Sequence, residues 1–150
     1  MTGGRRALWS LMFGVSAFAS LAALSFVATP VKFLAQGVPM ADLLAVGRVT
    51  FRASLGVEML ILALLLITTV ARARWLTCGA VAVLALQWFA LMPGLDERTL
   101  ARMAGSVLAP SSLHLWWIVL DVVRLGIYAI LIGTVGRDFM RNKTSPRRAA

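Results

Sequence analysis

The sequence predicts an all-α fold, a four-helix transmembrane bundle with its N and C termini cytoplasmic. Three observations carry this. Of the 150 residues, 60% are hydrophobic and only 14% charged, against roughly 45–50% apolar in soluble domains, and the mean hydropathy is +0.86. Four apolar runs reach or approach the roughly 20 residues that a helix needs to cross about 30 Å of hydrocarbon. The lysines and arginines fall between or beyond those runs and are unequal on the two sides. Backbone groups in lipid must be hydrogen-bonded within their own segment, so each run is read as a helix.

The first run, 7–29, has no charge and ends before Pro30. Arg5 and Arg6 precede it as they would a secretory signal. Its length exceeds the roughly 7–15 apolar residues of a signal core, and Pro30 and Lys32 follow without a cleavage site, so it reads as a retained span. The second run, 53–71, is interrupted only by Glu58, and the third, 75–92, stops at Pro93. Arg72, Ala73 and Arg74 alone separate these two, which makes them an antiparallel hairpin with a doubly positive turn. Such a turn belongs in the cytoplasm. Arg5, Arg6, Arg137, Arg141, Lys143, Arg147 and Arg148 then share its side, while Lys32, Arg48, Arg52, Arg98 and Arg102 lie opposite, diluted by Asp42, Asp96 and Glu97. Trp9 and Trp75 fall near the cytoplasmic interface, and Trp88, Trp116 and Trp117 near the other, as interfacial anchors do.

Between the first and second runs, Met40, Leu43, Leu44, Val46 and Phe51 alternate with Asp42, Arg48 and Arg52 at helical spacing. Lying on the outer surface and extending the second helix are both compatible with that pattern. Extension is favoured because no Gly-Pro break follows Pro39. The membrane domain covers 1–141, and the polar, basic stretch 142–150 is expected to be a disordered tail.

The fourth run, 115–136, carries Asp121 and Arg124 well inside it. An ionised group at mid-membrane costs about 3 kcal/mol even on lenient scales, so such residues face a bundle interior and mark candidate function. At about 1.5 Å per residue, Glu58 and Gln87 lie roughly 7 Å from the outer ends of their helices, Asp121 roughly 9 Å and Arg124 roughly 14 Å. The long arginine stem can reach outward to the level of the others. His114, Trp117, Asp121, Arg124 and Tyr128 follow spacings of three and four and share one face. That stripe is expected to point inward, leaving Leu120, Val123, Ile127 and Ile130 toward lipid. Gly14, Ser16, Ala17, Ser20, Ala23 and Ser25 thin the first helix enough for it to be the central packing partner or an oligomer interface.

Several classes of function are disfavoured. The formal charge of +9 lies at the ends of spans rather than on a folded basic face, so no nucleic-acid partner is expected. Its expected partners are the lipid bilayer, anionic lipid headgroups at the cytoplasmic face, and a second copy or a membrane partner subunit. One cysteine, Cys78, allows no internal disulfide and reads as a packing residue. One histidine, His114, cannot build a multi-histidine metal site or a doubly ligated haem, so no metal or cofactor is expected. Two acids and a distant histidine lack a nucleophile or metal partner, and the chain reads as a non-enzyme. Two roles remain open for Glu58, Gln87, Asp121 and Arg124. They can form a structural or accessory clamp between helices, or line the path of a small transporter or permeation subunit moving protons or a small solute. The setting is an integral, multi-pass membrane protein, in the plasma (inner) membrane if bacterial.

The two halves also repeat a plan. An outward helix ends at Pro30 and its return carries Glu58; another ends at Pro93 and its return carries Asp121, with 28 residues separating each pair. Phe26 aligns with Phe89, Met40 with Met103 and Ala41 with Ala104. These identities are too few to establish a duplication.

Three stretches together carry a family resemblance. They are Phe26 to Phe33 (Phe-Val-Ala-Thr-Pro-Val-Lys-Phe), Gly47 to Phe51 (Gly-Arg-Val-Thr-Phe), and the fourth helix opening on Leu113 and His114 with a polar residue at Asp121. The chain resembles the bacterial membrane family called domain of unknown function 4149, related to eukaryotic transmembrane protein 205. The resemblance spans nearly the whole chain and implies a compact four-helix membrane protein without an established reaction. Asparagine is common in that family where Asp121 stands, and Arg124 is outside its pattern, so it implies no role for either.

Overall fold

The computed structural model describes residues 3–144. Among them the fold is all-α, with four helices long and apolar enough to cross a membrane: α1 (Gly4–Leu34), α2 (Met40–Thr68), α3 (Ala73–Met103) and α4 (Leu113–Arg141). They run up, down, up and down. One end of the bundle gathers the start of α1, the α2–α3 turn and the end of α4, and is called the terminal end below; the opposite end is the loop end. Around the ring α1 packs on α2 and on α4, and α3 packs on α2 and on α4, while the two diagonal pairs do not pack closely.

The pattern of burial is inverted relative to a water-soluble bundle. Val57, Leu60, Ile67, Val122 and Ile130 stand exposed on the outside, whereas Ser10, Thr77, Gln87, Asp121 and Arg124 are buried. Contiguous apolar surface of this extent is a liability in water and the required finish against acyl chains. The protein is an integral, multi-pass membrane protein.

Prolines do not end the helices, contrary to the boundaries expected at 29 and 92. Helical backbone continues past Pro30 to Leu34 and past Pro93 to Met103. A proline lacks an N–H and crowds the carbonyl four residues back. In both helices the backbone widens into a π-helical stretch just upstream, Ala22–Ala28 and Gln87–Leu91. Thr29 N–H bonds Leu24 and Met92 N–H bonds Gln87, each five residues back. The Thr29 hydroxyl also donates to the Leu24 carbonyl at 2.7 Å.

Two other boundaries move. α2 begins at Met40, so the 40–51 segment does extend the second helix, with Pro39 as its extended-backbone entry. The α2–α3 turn is formed by Thr69 and Val70, both extended, and helical backbone resumes at Ala71. The backbone of Arg72 and Arg74 is therefore helical, leading into and opening α3, rather than part of the connection. Charge marks where a span leaves lipid; the chain turns where hydrogen bonding allows it, here with Thr69 N–H on the Leu65 carbonyl and Ala73 N–H on that of Val70. At the other terminus α4 stays helical to Thr144, so the expected tail is helical over its first three residues. Residues 145–150 lie outside the described residues.

α1 presents Ala7, Ser10, Gly14, Ala17 and Leu21 to the interior at spacings of three and four. Ser16 and Ala23, expected on the packing side, are exposed. α1 is a corner of the ring and not its centre, because in a square of four antiparallel helices each has two neighbours. The small stripe allows a close approach to α4: a Cβ added at Gly14 would sit 2.9 Å from Leu131 Cδ2 and 3.3 Å from Ile132 Cγ1. Gly14→Leu is thus expected to force α1 from α4 and lower stability by about 1–3 kcal/mol, the range for overpacking. Gly133→Leu, whose added Cβ meets nothing within 4 Å, is the control. Reversible unfolding in mixed micelles checks the pair, and equal effects would refute the close-packed contact.

Candidate functional site

The four polar residues singled out within the spans come together. Gln87, Asp121, Arg124 and Glu58 are 0%, 1%, 1% and 5% exposed. Arg124 is the hub. Its Nη2 donates to Asp121 Oδ1 at 2.6 Å, one helical turn earlier on α4. Its Nη1 lies 2.6 Å from Glu58 Oε2 on α2, without the angle of a hydrogen bond, so that contact is ionic. Arg124 therefore pairs both within α4 and across to α2. Tyr128 donates its hydroxyl to Glu58 Oε1 at 2.7 Å. Gln87 Nε2 donates to Asp121 Oδ1 at 2.8 Å and to the Trp117 carbonyl at 3.2 Å. Three helices thus meet in one network, and Glu58 with Arg124 and Tyr128 spans the α2–α4 diagonal across which the backbones do not pack closely.

Local structure sets this up. On α4 the three-four spacing turns Trp117, Asp121, Arg124 and Tyr128 inward, and Leu131 and Val135 continue the same buried line. Gln87 is the first residue of the π-helical stretch in α3, a type of irregularity frequent at functional sites. Beneath the network, toward the terminal end, Leu62, Leu65, Leu131 and Val135 fill the core at 2% exposure or less.

Three expectations fail here. His114 is on the same side of α4 but exposed beyond the last buried turn. Trp117 is no interfacial anchor: it is 2% exposed, with its ring tilted 54° against that of Phe51 at a centroid distance of 4.8 Å. Hydropathy places a tryptophan at an interface by its depth along the helix, whereas here its azimuth puts it inside. Cys78 is exposed on the outer surface of α3 and does not pack the interior. Of the four α4 residues expected toward lipid, Val123 and Ile130 are exposed, while Leu120 and Ile127 are half-buried. Ile127 packs against the core because an interior stripe about 100° wide takes in its flanks.

A second cluster escaped the sequence reading. Arg48 and Arg52 of α2 both bind Asp96 of α3: Arg48 Nε meets Asp96 Oδ1, Arg48 Nη2 donates to Oδ2 at 2.9 Å, and Arg52 Nη2 donates to Oδ2 at 2.8 Å. These residues had been weighed as topological charge. The available signal was the i, i+4 spacing of Arg48 and Arg52, which puts both on one face. The continuation of α3 beyond Pro93, which brings Asp96 opposite them, was not legible. No cluster of three potential metal ligands exists among the described residues.

Two hollows adjoin the network on its loop-end side. A small one of about 20 Å³, room for about one water molecule, is lined by Glu58, Arg124, Ser20, Ser54, Phe51 and Trp117 among others. A larger one of about 270 Å³ opens at the loop end and shares Phe51 and Trp117 with the first. The aromatic pair therefore separates the network from the wider cavity.

Set against family models, curated proteins and solved structures, the chain matches none.

Removing the Tyr128 hydroxyl deprives Glu58 of a buried charge-assisted bond, so Tyr128→Phe is expected to lower stability by about 1.5–3 kcal/mol. Asp96→Asn, at a partly solvated cluster, is expected to cost less than Tyr128→Phe. Unfolding of both variants in the same micelles checks the order, and the reverse order would contradict it.

Proposed function

We propose that this chain is a structural or accessory membrane protein, of the plasma (inner) membrane if bacterial, whose buried polar network around Arg124 clamps three of its four helices. The observation that carries the reading is the pairing of the buried charges with one another, Arg124 with Glu58 and Asp121. Arg124 lies between two carboxyl groups within 2.6 Å of each, and Leu62, Leu65, Leu131 and Val135 pack beneath it, separating it from the buried hydroxyls of Ser10, Thr69 and Thr77 nearer the terminal end. A clamp needs mutual satisfaction and burial, whereas a path needs polar groups along its length. The resemblance to the domain of unknown function 4149 family is in keeping with a compact four-helix protein without a reaction. The unequal basic charge supports N and C termini in the cytoplasm. In this arrangement anionic headgroups there meet Arg5, Arg6, Arg137 and Arg141, and a second copy or partner subunit would be held by an exposed helix face.

Breaking a buried pair by deleting one member costs about 3–5 kcal/mol, since the other is left alone. Arg124→Leu strands two acids and is expected to lose at least that. Adding Glu58→Gln or Asp121→Asn should recover part of it, with a coupling of about 1–3 kcal/mol in a double-mutant cycle. Additive effects at both acids would refute the clamp.

The hollow beside Glu58 and Arg124 favours a second reading, a small transporter or permeation subunit. Under it, liposomes containing the protein would move protons or a small solute, and Asp121→Asn would stop the flux while leaving the fold intact. Flux that survives Asp121→Asn, or no flux at all, leaves the clamp standing.

Orientation has its own test. In a Cys78→Ala background, a membrane-impermeant thiol reagent applied to intact cells should label Ser106→Cys at the loop end and spare Gly4→Cys until lysis. The opposite pattern would invert the topology.

A further inference from the structure

The loop-end cavity has a wall that its own acids do not neutralise. Lys32, Arg48, Arg98 and Arg102 line it together with one carboxylate, Asp96. Asp96 is already bound by Arg48 and Arg52. Arg98 donates to the Ala109 carbonyl. Lys32 Nζ stands 5.0 Å from the centroid of the Phe33 ring. Neither Lys32 nor Arg102 has an acidic partner within 4.0 Å among the described residues. Cations gathered in a concave wall of low polarity focus an attractive field on anions.

This cavity adjoins a second, mainly apolar hollow. A groove of about 200 Å³ between α1 and α2 is lined by Leu24, Ala28, Val46 and Phe51 among others. Thr29, Lys32, Gly47 and Phe51 line both hollows. Val46 in its lining is exposed on the outside of the bundle, so the groove opens sideways, and Leu24 and Ser54 carry its lining deeper into the span. Lys32 sits at the junction because Gly47 lets it: a Cβ at that position would collide with Lys32 Nζ. A cationic chamber beside a mainly apolar slot, with Lys32 lining both, has the division of chemistry found in a phospholipid, and arginines are suited to bidentate contact with phosphate.

We propose that the loop-end cavity binds the headgroup of an anionic phospholipid, held by Lys32, Arg98 and Arg102, with one acyl chain lying in the groove between α1 and α2. Arg48, oriented by Asp96, closes the chamber wall on the α2 side. None of its charged residues belongs to the buried clamp, and it stands at the opposite end of the bundle from the basic cluster at the termini.

The test uses the full chain in phosphatidylcholine nanodiscs with phosphatidylglycerol as the probe, read by native mass spectrometry of retained lipid and by thermal unfolding. The wild type should retain phosphatidylglycerol in preference to phosphatidylcholine and be stabilised by it. Arg102→Gln should weaken that preference by about three- to tenfold through loss of a charge-assisted contact. Gly47→Val, which changes no charge but displaces Lys32, should weaken it too. Arg5→Gln, an equal loss of charge at the terminal end, should leave it unchanged. Weakening by Arg5→Gln equal to that by Arg102→Gln would overturn the site in favour of general surface charge. Saturable binding of inorganic phosphate without preference between the two lipids would overturn the headgroup assignment in favour of a soluble anion. Absence of lipid preference in the folded wild type would overturn it altogether.

Discussion

Helices that sit diagonally in a square bundle are held apart by the two between them, and here α2 and α4 reach across that gap only with side chains. Glu58 meets Arg124 and Tyr128 from the far corner, and Gln87 joins Asp121 from a neighbouring one. Because lipid competes with helices for apolar contact, association in a bilayer relies on close packing and on polar groups whose only good partners are inside. Gly14 and its small neighbours provide the first of these along α1 and α4, and Arg124 the second. Rotating α4 by even one residue would turn Arg124 toward acyl chains, so the network fixes the azimuth of that helix as well as its distance.

Much of this was legible. Glu58 and Gln87 lie at matching distances from a short hairpin turn, which put them at one level before any coordinates, and the three-four spacing from Trp117 to Tyr128 gave the inward face of α4. What could not be read was how each irregularity is accommodated. Pro30 and Pro93 look like terminators, because a proline removes a donor, yet a shift to bonds five residues back absorbs both. The Arg72–Arg74 pair looks like a turn, because charge and turn often coincide at a membrane surface, yet Thr69 and Val70 make the bend. Cys78 and Trp117 exchanged their expected places because depth along a helix is visible in hydropathy, while rotation about its axis is visible only when several residues agree.

The irregularities also repeat. Pro30 and Pro93 are 63 residues apart, as are Glu58 and Asp121, and each proline is preceded by a π-helical stretch. The correspondence extends from a few side chains to the backbone, and it puts one carboxylate on each returning helix. With Arg124 lying between the two acids, a single guanidinium serves both halves. The halves differ where α1 is thin and serine-bearing and α3 supplies Gln87.

α2 holds 29 residues, about 44 Å of helix at 1.5 Å per residue, against a hydrocarbon layer of about 30 Å. The surplus lies at the loop end, where Asp42, Arg48 and Arg52 are carried. A thin bilayer leaves the Arg48–Asp96 bridge among hydrated headgroups, and a thicker one draws it toward acyl chains or straightens the tilt of the bundle. Membrane thickness therefore acts on this protein through that bridge.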